Sequence, residues 1–452
     1  MKIIIIGCGK IGSTILANLT YEGHDVLAID NNPEVISKIT NVYDVMGVCG
    51  NGADCDVLEE ADAFSVDLLV ATTGSDELNM LSCFLAKRMG TKHIIARIRN
   101  PEYNDKSLSF MKTHLELDMA INPELLAAHE LYNILKLPSA ATIETFSIRN
   151  FEMIELRLKP DSVLDGMRII DMRNKFNAKF LICAVQRGDE AYIPDGNFTL
   201  KSGDKIGLTA APNEIAKLLK EMGMLQKQAR NIMILGGSRT AYYLAKRLTA
   251  AGNRVSIIER DRQICEELCE ALPKAVIING DGAQQELLLE EGINSWDAFV
   301  ALTGTDEQNL LISSFVQSKN VPKVIAKVNR DELIHLAEHW GIDCIVSPKK
   351  TISNILVQYA RALENSAGSS VETLYKLMDD KVEALEFSVK HDFEAVRIPF
   401  KELETKNNIL IAGIMRERKP IIPTGDDMLL PGDKVIVLAA NQRINTLSDI
   451  LK

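Results

Sequence analysis

Four consecutive isoleucines, Ile3-Ile4-Ile5-Ile6, run straight into the glycine-rich stretch Gly7-Cys8-Gly9-Lys10-Ile11-Gly12, and an amphipathic segment follows. A second apolar run, Val26-Leu27-Ala28-Ile29, stops at Asp30. Unbroken apolar runs of this length mark strands covered on both faces, as in a parallel sheet, whereas strict alternation would mark a half-exposed strand. The same pattern predicts strands at 45–49, 67–71, 93–97 and 119–122. The helices between them include one opened by Asn32-Pro33, one over 77–89 and one from Pro123 to about Lys136. Parallel strands need crossover connections, so residues 1–136 read as a doubly wound, Rossmann-like α/β domain.

From about residue 141 the pattern changes to shorter strands, 142–148, 153–158, 180–186 and 205–210, punctuated by Pro194-Asp195-Gly196 and Ser202-Gly203-Asp204. A helix over 213–222 closes a small α+β unit, 141–225. The chain then repeats itself: Ile232-Met233-Ile234-Leu235-Gly236 answers residues 3–7, Glu259 falls where Asp30 fell, and Gly280-Asp281-Gly282-Ala283 answers Gly50-Asn51-Gly52-Ala53. Residues 301–311 match 71–81 at 7 of 11 positions in constant register. Pro423, Gly425, Leu429, Gly432, Asp433 and Lys434 align with Pro194, Gly196, Leu200, Gly203, Asp204 and Lys205. The expected organisation is therefore two Rossmann-like domains, 1–136 and 229–360, each followed by a small α+β domain, 141–225 and 372–452.

Each part of the first turn has a physical task. Gly7 permits a tight turn, Gly9 removes a side chain where backbone must approach a pyrophosphate, and Gly12 lets the helix lie close to the sheet. The free N–H groups at the start of that helix face an anion. Asp30, 18 residues beyond Gly12, is placed to accept from a ribose 2′-hydroxyl, which favours NAD over a 2′-phosphate. On open parallel sheets ligands bind beyond the carboxyl ends of the strands. Gly7, Cys8, Gly9, Lys10, Ile11, Gly12, Asp30, Asn31, Gly50, Asn51, Gly52, Ala53, Thr72, Thr73, Gly74 and Arg97 are therefore expected to form one nucleotide site. A second, less complete set is Gly236, Gly237, Ser238, Arg239, Glu259, Asp281, Gly282, Thr303 and Lys327. There Ser238 replaces the glycine that admits the pyrophosphate, so a weaker, altered or empty site is expected.

Lys10 and its counterpart Arg239 can reach a phosphate, or can simply be solvated residues of a first helical turn. Arg97, with Lys327 as its counterpart, reads as a ligand or interface partner at the end of a buried strand. Ser75 and Thr305 read as helix N-caps. His335-Leu336-Ala337-Glu338-His339 matches a zinc pattern, but the equivalent stretch of the first half carries no ligand and no metal is expected. Seven dispersed histidines, none recurring in the matching half, offer no acid–base pair and argue against catalysis.

Composition narrows the partners. With 62 acidic against 51 basic residues and a net charge of −11, the chain lacks the basic footprint of nucleic-acid binding. Eight scattered cysteines without CxxC spacing suit a reducing, cytoplasmic setting. The glycines at 7 and 9 cut the isoleucine run short of a signal peptide, and no apolar stretch approaches the roughly 20 residues needed to span a bilayer.

Taken in order and in duplicate, these motifs resemble the TrkA family, the cytoplasmic regulatory subunits of bacterial Trk potassium uptake systems, built from two RCK (regulator of potassium conductance) units. The residues that carry the resemblance are Gly7–Gly12 with Asp30, Gly50-Asn51-Gly52-Ala53-Asp54, Ala71-Thr72-Thr73-Gly74-Ser75-Asp76-Glu77 and Ala96-Arg97, with their imperfect second set. The resemblance implies a non-enzymatic protein that binds NAD(H) and, as in several members, ATP or ADP. It further implies a homo-oligomer, with four chains the expected number, held at the inner face of the membrane by a potassium-transporting pore subunit of the TrkH, TrkG or KtrB type. The small units of related regulators dimerise and sometimes bind a second effector; no residue pattern here points to one. The competing readings are a nucleotide sensor for another transporter and an NAD-dependent dehydrogenase.

Overall fold

The computed structural model describes residues 1–452 apart from 104, 137–141, 146–151, 159, 161, 225–227, 341, 343, 367–370, 379–380 and 418. The first sheet has six parallel strands, β1 (Lys2–Ile6), β2 (Asp25–Asp30), β3 (Met46–Cys49), β4 (Leu68–Ala71), β5 (His93–Arg97) and β6 (Met119–Ile121), in the order β3-β2-β1-β4-β5-β6. Helices α1 (Lys10–Tyr21), α2 (Pro33–Tyr43), α3 (Cys55–Glu60), α4 (Asp76–Met89), α5 (Asp105–His114) and α6 (Pro123–Lys136) alternate with them. The strand order reverses at β1, where β2 and β4 flank it, and this opens a crevice above their carboxyl ends. Every residue of Ile3-Ile4-Ile5-Ile6 is buried, with Ile3 and Ile5 in one core cluster and Ile4 and Ile6 in another. That is the strand covered on both faces that the unbroken apolar run predicts.

The first small unit holds β7 (Thr142–Thr145), β8 (Glu152–Arg157), α7 (Ile169–Lys175), β9 (Phe180–Arg187), β10 (Glu190–Tyr192), β11 (Lys205–Ala210) and α8 (Pro212–Glu221), with antiparallel order β10-β9-β11-β8-β7. The expected ends of this unit at 141 and 225, and of its first strand at 148, lie outside the described residues.

The second half copies the first. Strands β12 (Asn231–Leu235), β13 (Arg254–Glu259), β14 (Val276–Asn279), β15 (Ala298–Ala301), β16 (Lys323–Lys327) and β17 (Cys344–Val346) take the order β14-β13-β12-β15-β16-β17. Their helices are α9 (Arg239–Ala250), α10 (Arg262–Ala271), α11 (Gln285–Glu290), α12 (Asp306–Ser318), α13 (Asp331–His339) and α14 (Pro348–Ser366). The last sheet, β18 (Val371–Leu377), β19 (Val382–Ser388), β20 (Ile409–Arg416), β21 (Lys419–Ile421) and β22 (Lys434–Ala440), repeats the small-unit order as β18-β19-β22-β20-β21. In place of α8 this unit ends in a short 3-10 turn, Leu447–Ile450. The side chains of His335, Glu338 and His339 on α13 lie outside the described residues, so the zinc pattern is not placed.

The sequence pattern does not foretell how the halves are joined: each Rossmann-like domain hands its last helix to the other. On α6, Ala127, Ala128, Leu131, Ile134 and Leu135 are buried with Ile232, Ile234 and Leu244 of the second half. On α14, Ile352, Leu356, Val357 and Ala360 are buried with Ile15, Leu16 and Leu19 of α1. Burying Leu131, Ile134 and Leu135 alone contributes on the order of 5 kcal/mol, so the exchange is a strong clamp. The small sheets also pack together, with Met153 and Ala184 against Ala384, Ala412 and Leu438. The Thr209 hydroxyl donates to the Ala412 carbonyl at 3.2 Å across this contact. A buried carboxylate, Glu22 just beyond α1, ties the first half to α14 through Arg361 and to the last unit through Lys376 and Arg443. Burial alone would raise its pKa, but the paired cations outweigh that and hold it below the usual carboxylate range.

Candidate functional site

The crevice above β1 and β4 is a cleft of about 660 Å³. Gly7 closes the first turn at φ +85°, where a Cβ would lie 2.6 Å from the Thr73 nitrogen. At Gly12 a Cβ would fall 2.0 Å from the Gly7 carbonyl oxygen, so only glycine lets α1 start this close to the sheet. A Cβ at Gly9 would meet nothing within 4 Å, and Gly9, as N-cap of α1, gives no side-chain bond to the helix. The α1 N-terminus therefore faces the cleft with its amides uncapped by any side chain, which is the arrangement that receives an anion.

Asp30 stands beside this turn and is already oriented by it. Its Oδ2 accepts from the Cys8 amide at 2.7 Å and its Oδ1 from the Asn32 amide at 2.9 Å. Each carboxylate oxygen keeps a further lone pair for a ribose hydroxyl. Asn51 and the neighbouring Gly50 and Gly52 form the floor beyond β3, and Thr72, Thr73 and Gly74 the floor beyond β4. Lys10, Ile11, Asn31 and Arg97 also line the cleft. Three residues expected there do not. The Cys8 side chain turns into the core, its thiol pushed up to about 12 chiefly by burial, and contributes only its amide. Gly12 is covered by the Gly7 carbonyl and Thr72, and Ala53 spends its amide on the Asn51 side chain at 3.1 Å.

The far wall comes from the second half. Thr240 of α9, Lys327 and Asn329 beyond β16, and Pro348 and Lys349 opening α14 all line the same cleft. Lys327, expected in the second site, thus stands in the wall of the first, because the exchange of α6 and α14 brings the halves face to face. Sequence reasoning also missed Arg99, Pro123 and Glu124, although Arg97-Ile98-Arg99 at a strand end carries the same signal as Arg97 alone. The Arg97 guanidinium donates to the Thr73 carbonyl, and burial first, then the Arg99 charge, pushes its pKa down to about 10. It stays charged at neutral pH. Burial likewise lowers Lys327. Arg99 faces Glu124 at 3.6 Å, and the buried Nε atoms of Arg97 and Arg99 and Oε2 of Glu124 have no hydrogen-bond partner among the described residues. Against the carboxylates of Asp30 and Glu124, the wall and floor set Lys10, Arg97, Arg99, Lys327 and Lys349, a cationic lining suited to a polyanion.

The duplicated Thr-Gly-x-Asp-Glu-x-Asn stretch holds this frame together. The Asn79 Oδ1 accepts from the Thr73 amide at 2.7 Å while its Nδ2 donates to the Arg97 carbonyl at 2.9 Å. Asp76 accepts from the Arg99 and Asn100 amides, each at 2.8 Å. Asn309 and Asp306 make the same bonds to Thr303, Lys327, Asn329 and Arg330. The bracket fixes the end of β5, or β16, against the turn after β4, or β15. Ser75 caps α4 by accepting from the Leu78 amide at 3.1 Å, whereas the Thr305 side chain makes no such bond to α12, contrary to expectation.

At the second turn, Gly236 keeps its positive φ of +95° and Glu259 accepts from the Gly237 amide at 2.6 Å. Ser238, however, turns its hydroxyl back to accept from the Ala241 amide at 3.4 Å, so α9 is capped by its own side chain. Gly237 lies under Ile264, Leu268 and Glu259, and Gly282 lies against Leu235. Arg239 is exposed. Asp281 accepts from the Ala283 amide and Thr303 is held by Asn309.

Comparison with known proteins gives this frame its family. The TrkA-N domain model matches residues 3–123 and 232–348, and the TrkA-C domain model matches 153–223 and 384–452. The chain belongs to the TrkA family. A TrkA homologue of the Trk potassium uptake system in Methanosarcina mazei is 31% identical over 460 residues, covering 100% of both chains. The Trk system potassium uptake protein TrkA of Vibrio alginolyticus is 30% identical over 448 residues, covering 98% of this chain and 96% of that one. Among solved structures, the GsuK RCK domain has TM-score 0.62 at 17% identity over 97% of this chain and 92% of its own. The GsuK channel bound to NAD has TM-score 0.61 at 17% identity over 97% of this chain and 77% of its own. The family fold is thus a tandem RCK arrangement, two Rossmann-like domains each followed by a small α+β unit. No helix among the described residues is long and apolar enough to cross a membrane.

Proposed function

We propose that this chain is the regulatory subunit of a potassium uptake system, that it binds NAD(H) in the first-half cleft, and that nucleotide occupancy biases a membrane pore subunit. The observation that carries the reading is the uncapped N-terminus of α1 beside Asp30, facing a cationic wall supplied by the other half of the chain. The turn and α1 hold the pyrophosphate, Asp30 the adenosine ribose, and Arg97, Arg99, Lys327 and Lys349 the remaining charge. ADP and ATP suit the same wall, and a GsuK structure bound to ADP, TM-score 0.51 at 14% identity, supports that alternative. In this reading the ligand is sensed and not consumed.

A ligand touching both halves binds best when they are closed upon it. A tenfold preference for the closed arrangement supplies about 1.4 kcal/mol, enough to shift a balanced conformational equilibrium. Assembly as a homotetramer on the cytoplasmic face of a pore subunit of the TrkH, TrkG or KtrB type would convert that shift into gating. The test is potassium flux into vesicles carrying the pore subunit and this chain, with NADH, NAD, ADP and ATP added in turn. Flux that responds to at least one of them, and no longer responds with Asp30→Ala, supports the proposal; flux indifferent to all four overturns it.

A further inference from the structure

Tyr243 of α9 is not among the residues that line the cleft, yet its hydroxyl joins the second half to one that is. It donates to the Arg99 carbonyl at 3.2 Å and accepts from the Asn122 Nδ2 at 3.1 Å. Asn122 stands just before Pro123, and its Oδ1 accepts from the Leu125 amide at 2.9 Å, so it caps the exchanged helix α6. Two residues further on, Glu124 faces the Arg99 guanidinium. One phenol from the second half therefore ties the segment beyond β5 to the first turn of α6, and both carry charges that line the cleft.

From its own half, Arg99 is held by Asp76, which accepts from its amide, and by the Gly74 carbonyl, which accepts from its guanidinium at 3.2 Å. Those bonds set Arg99 against the turn after β4. The Tyr243 bond reaches across to α9 and so relates Arg99 to the opposite wall of Lys327, Asn329 and Lys349. The matching residues of the other copy make no such tie. Thr14 stands on α1 where Tyr243 stands on α9, and its hydroxyl donates to the Lys10 carbonyl at 3.0 Å within its own helix. Ser347 precedes Pro348 as Asn122 precedes Pro123, and its buried Oγ has no hydrogen-bond partner among the described residues. The tie across the halves thus accompanies the turn whose amides face a ligand, and not the turn that Ser238 caps.

We propose that Tyr243 is a positioning residue of the first-half nucleotide site, its hydroxyl holding Arg99 and the start of α6 where one polyanionic ligand reaches both walls. The proposal rests on the nucleotide reading above and adds to it a residue supplied by the other half. Tyr243→Phe keeps the ring, which packs against the shared core of α6 and α9, and removes the hydroxyl alone. Asn122 Nδ2 is then left with the Arg99 carbonyl at 3.5 Å, a poor bond. The closed arrangement loses a contact on which a ligand touching both halves depends.

Fluorescence titration of the full chain with NADH tests this in a double-mutant cycle of Tyr243→Phe with Arg99→Gln. Tyr243→Phe is expected to weaken NADH binding about three- to tenfold, the net worth of one neutral hydrogen bond. In the Arg99→Gln background the same change should cost less than about twofold, because Tyr243 acts through Arg99; a merely structural loss would persist there in full. Tyr242→Phe, which removes the neighbouring hydroxyl of α9, should leave NADH affinity as in the wild type. Unchanged affinity in Tyr243→Phe, an equal loss in both backgrounds, or an equal loss in Tyr242→Phe overturns the positioning role while the nucleotide reading stands. A wild-type chain that binds no NADH overturns that reading and the role with it.

Discussion

Helices α1 and α9 begin at the same point of the same fold, yet their first turns are satisfied by different means. Gly9 leaves α1 without a side-chain cap and with open space in front of it. Ser238 caps α9 with its own hydroxyl. At the third glycine position, Gly12 cannot hold even a methyl group, while Ala241 sits fully buried without one being excluded. The carboxylates behave alike: Asp30 and Glu259 each accept from the amide of the second turn residue. One half has kept a helix N-terminus that lacks an internal partner, and the other has satisfied it internally and contributes Thr240, Lys327 and Lys349 to its neighbour's site. A duplicated domain can thus lose a ligand-facing turn while its frame, held by the Asp76/Asp306 and Asn79/Asn309 brackets, persists.

This contrast can be broken at several points. The largest effect is expected for Gly12→Ala, whose Cβ would meet the Gly7 oxygen at 2.0 Å. It should cost about 2–3 kcal/mol of stability, read from denaturant unfolding, and abolish NADH binding, while Ala241→Gly at the matching place costs about 1 kcal/mol at most. Next comes Asp30→Ala, which removes a charged acceptor worth about 1.5–3 kcal/mol; NADH affinity by fluorescence titration should fall roughly 10- to 100-fold. Gly9→Ser transplants the second half's cap into the first. Its Cβ enters open space, so the melting temperature should hold or rise slightly, yet nucleotide affinity should fall about tenfold as the hydroxyl takes an amide from the phosphate. The smallest effect is expected for Lys327→Gln, about three- to tenfold in affinity, with a shallower dependence on salt. Its value is diagnostic, because Lys327 belongs to the other half of the sequence and no role in a self-contained first site would give it any effect.

What could be read from the sequence was what local patterns encode. Buried strands are spelled by runs such as Ile3-Ile4-Ile5-Ile6, and the turn by the placing of Gly7, Gly9 and Gly12, so the sheets and the first half's share of the cleft were legible. The apolar faces of α6 and α14 mark both helices for burial, but an apolar face states that it will be buried and not against what. The exchange of those helices, and with it the second-half wall, therefore could not be read. The place of Lys327 followed the same logic: alignment put it opposite Arg97 in a second copy, whereas the fold turns the copies toward each other. Thr305 shows the limit at the smallest scale, since a residue of the right type stands at the N-cap yet leaves its side-chain bond to the helix unmade.

The central claim is that one chain holds one NADH, in the first half. Titration calorimetry of the full chain with NADH measures this directly, repeated on Asp30→Ala and Glu259→Ala. One NADH per chain, lost with Asp30→Ala and retained with Glu259→Ala, is the expected result. Two equivalent sites per chain, or binding that survives Asp30→Ala and disappears with Glu259→Ala, would contradict it.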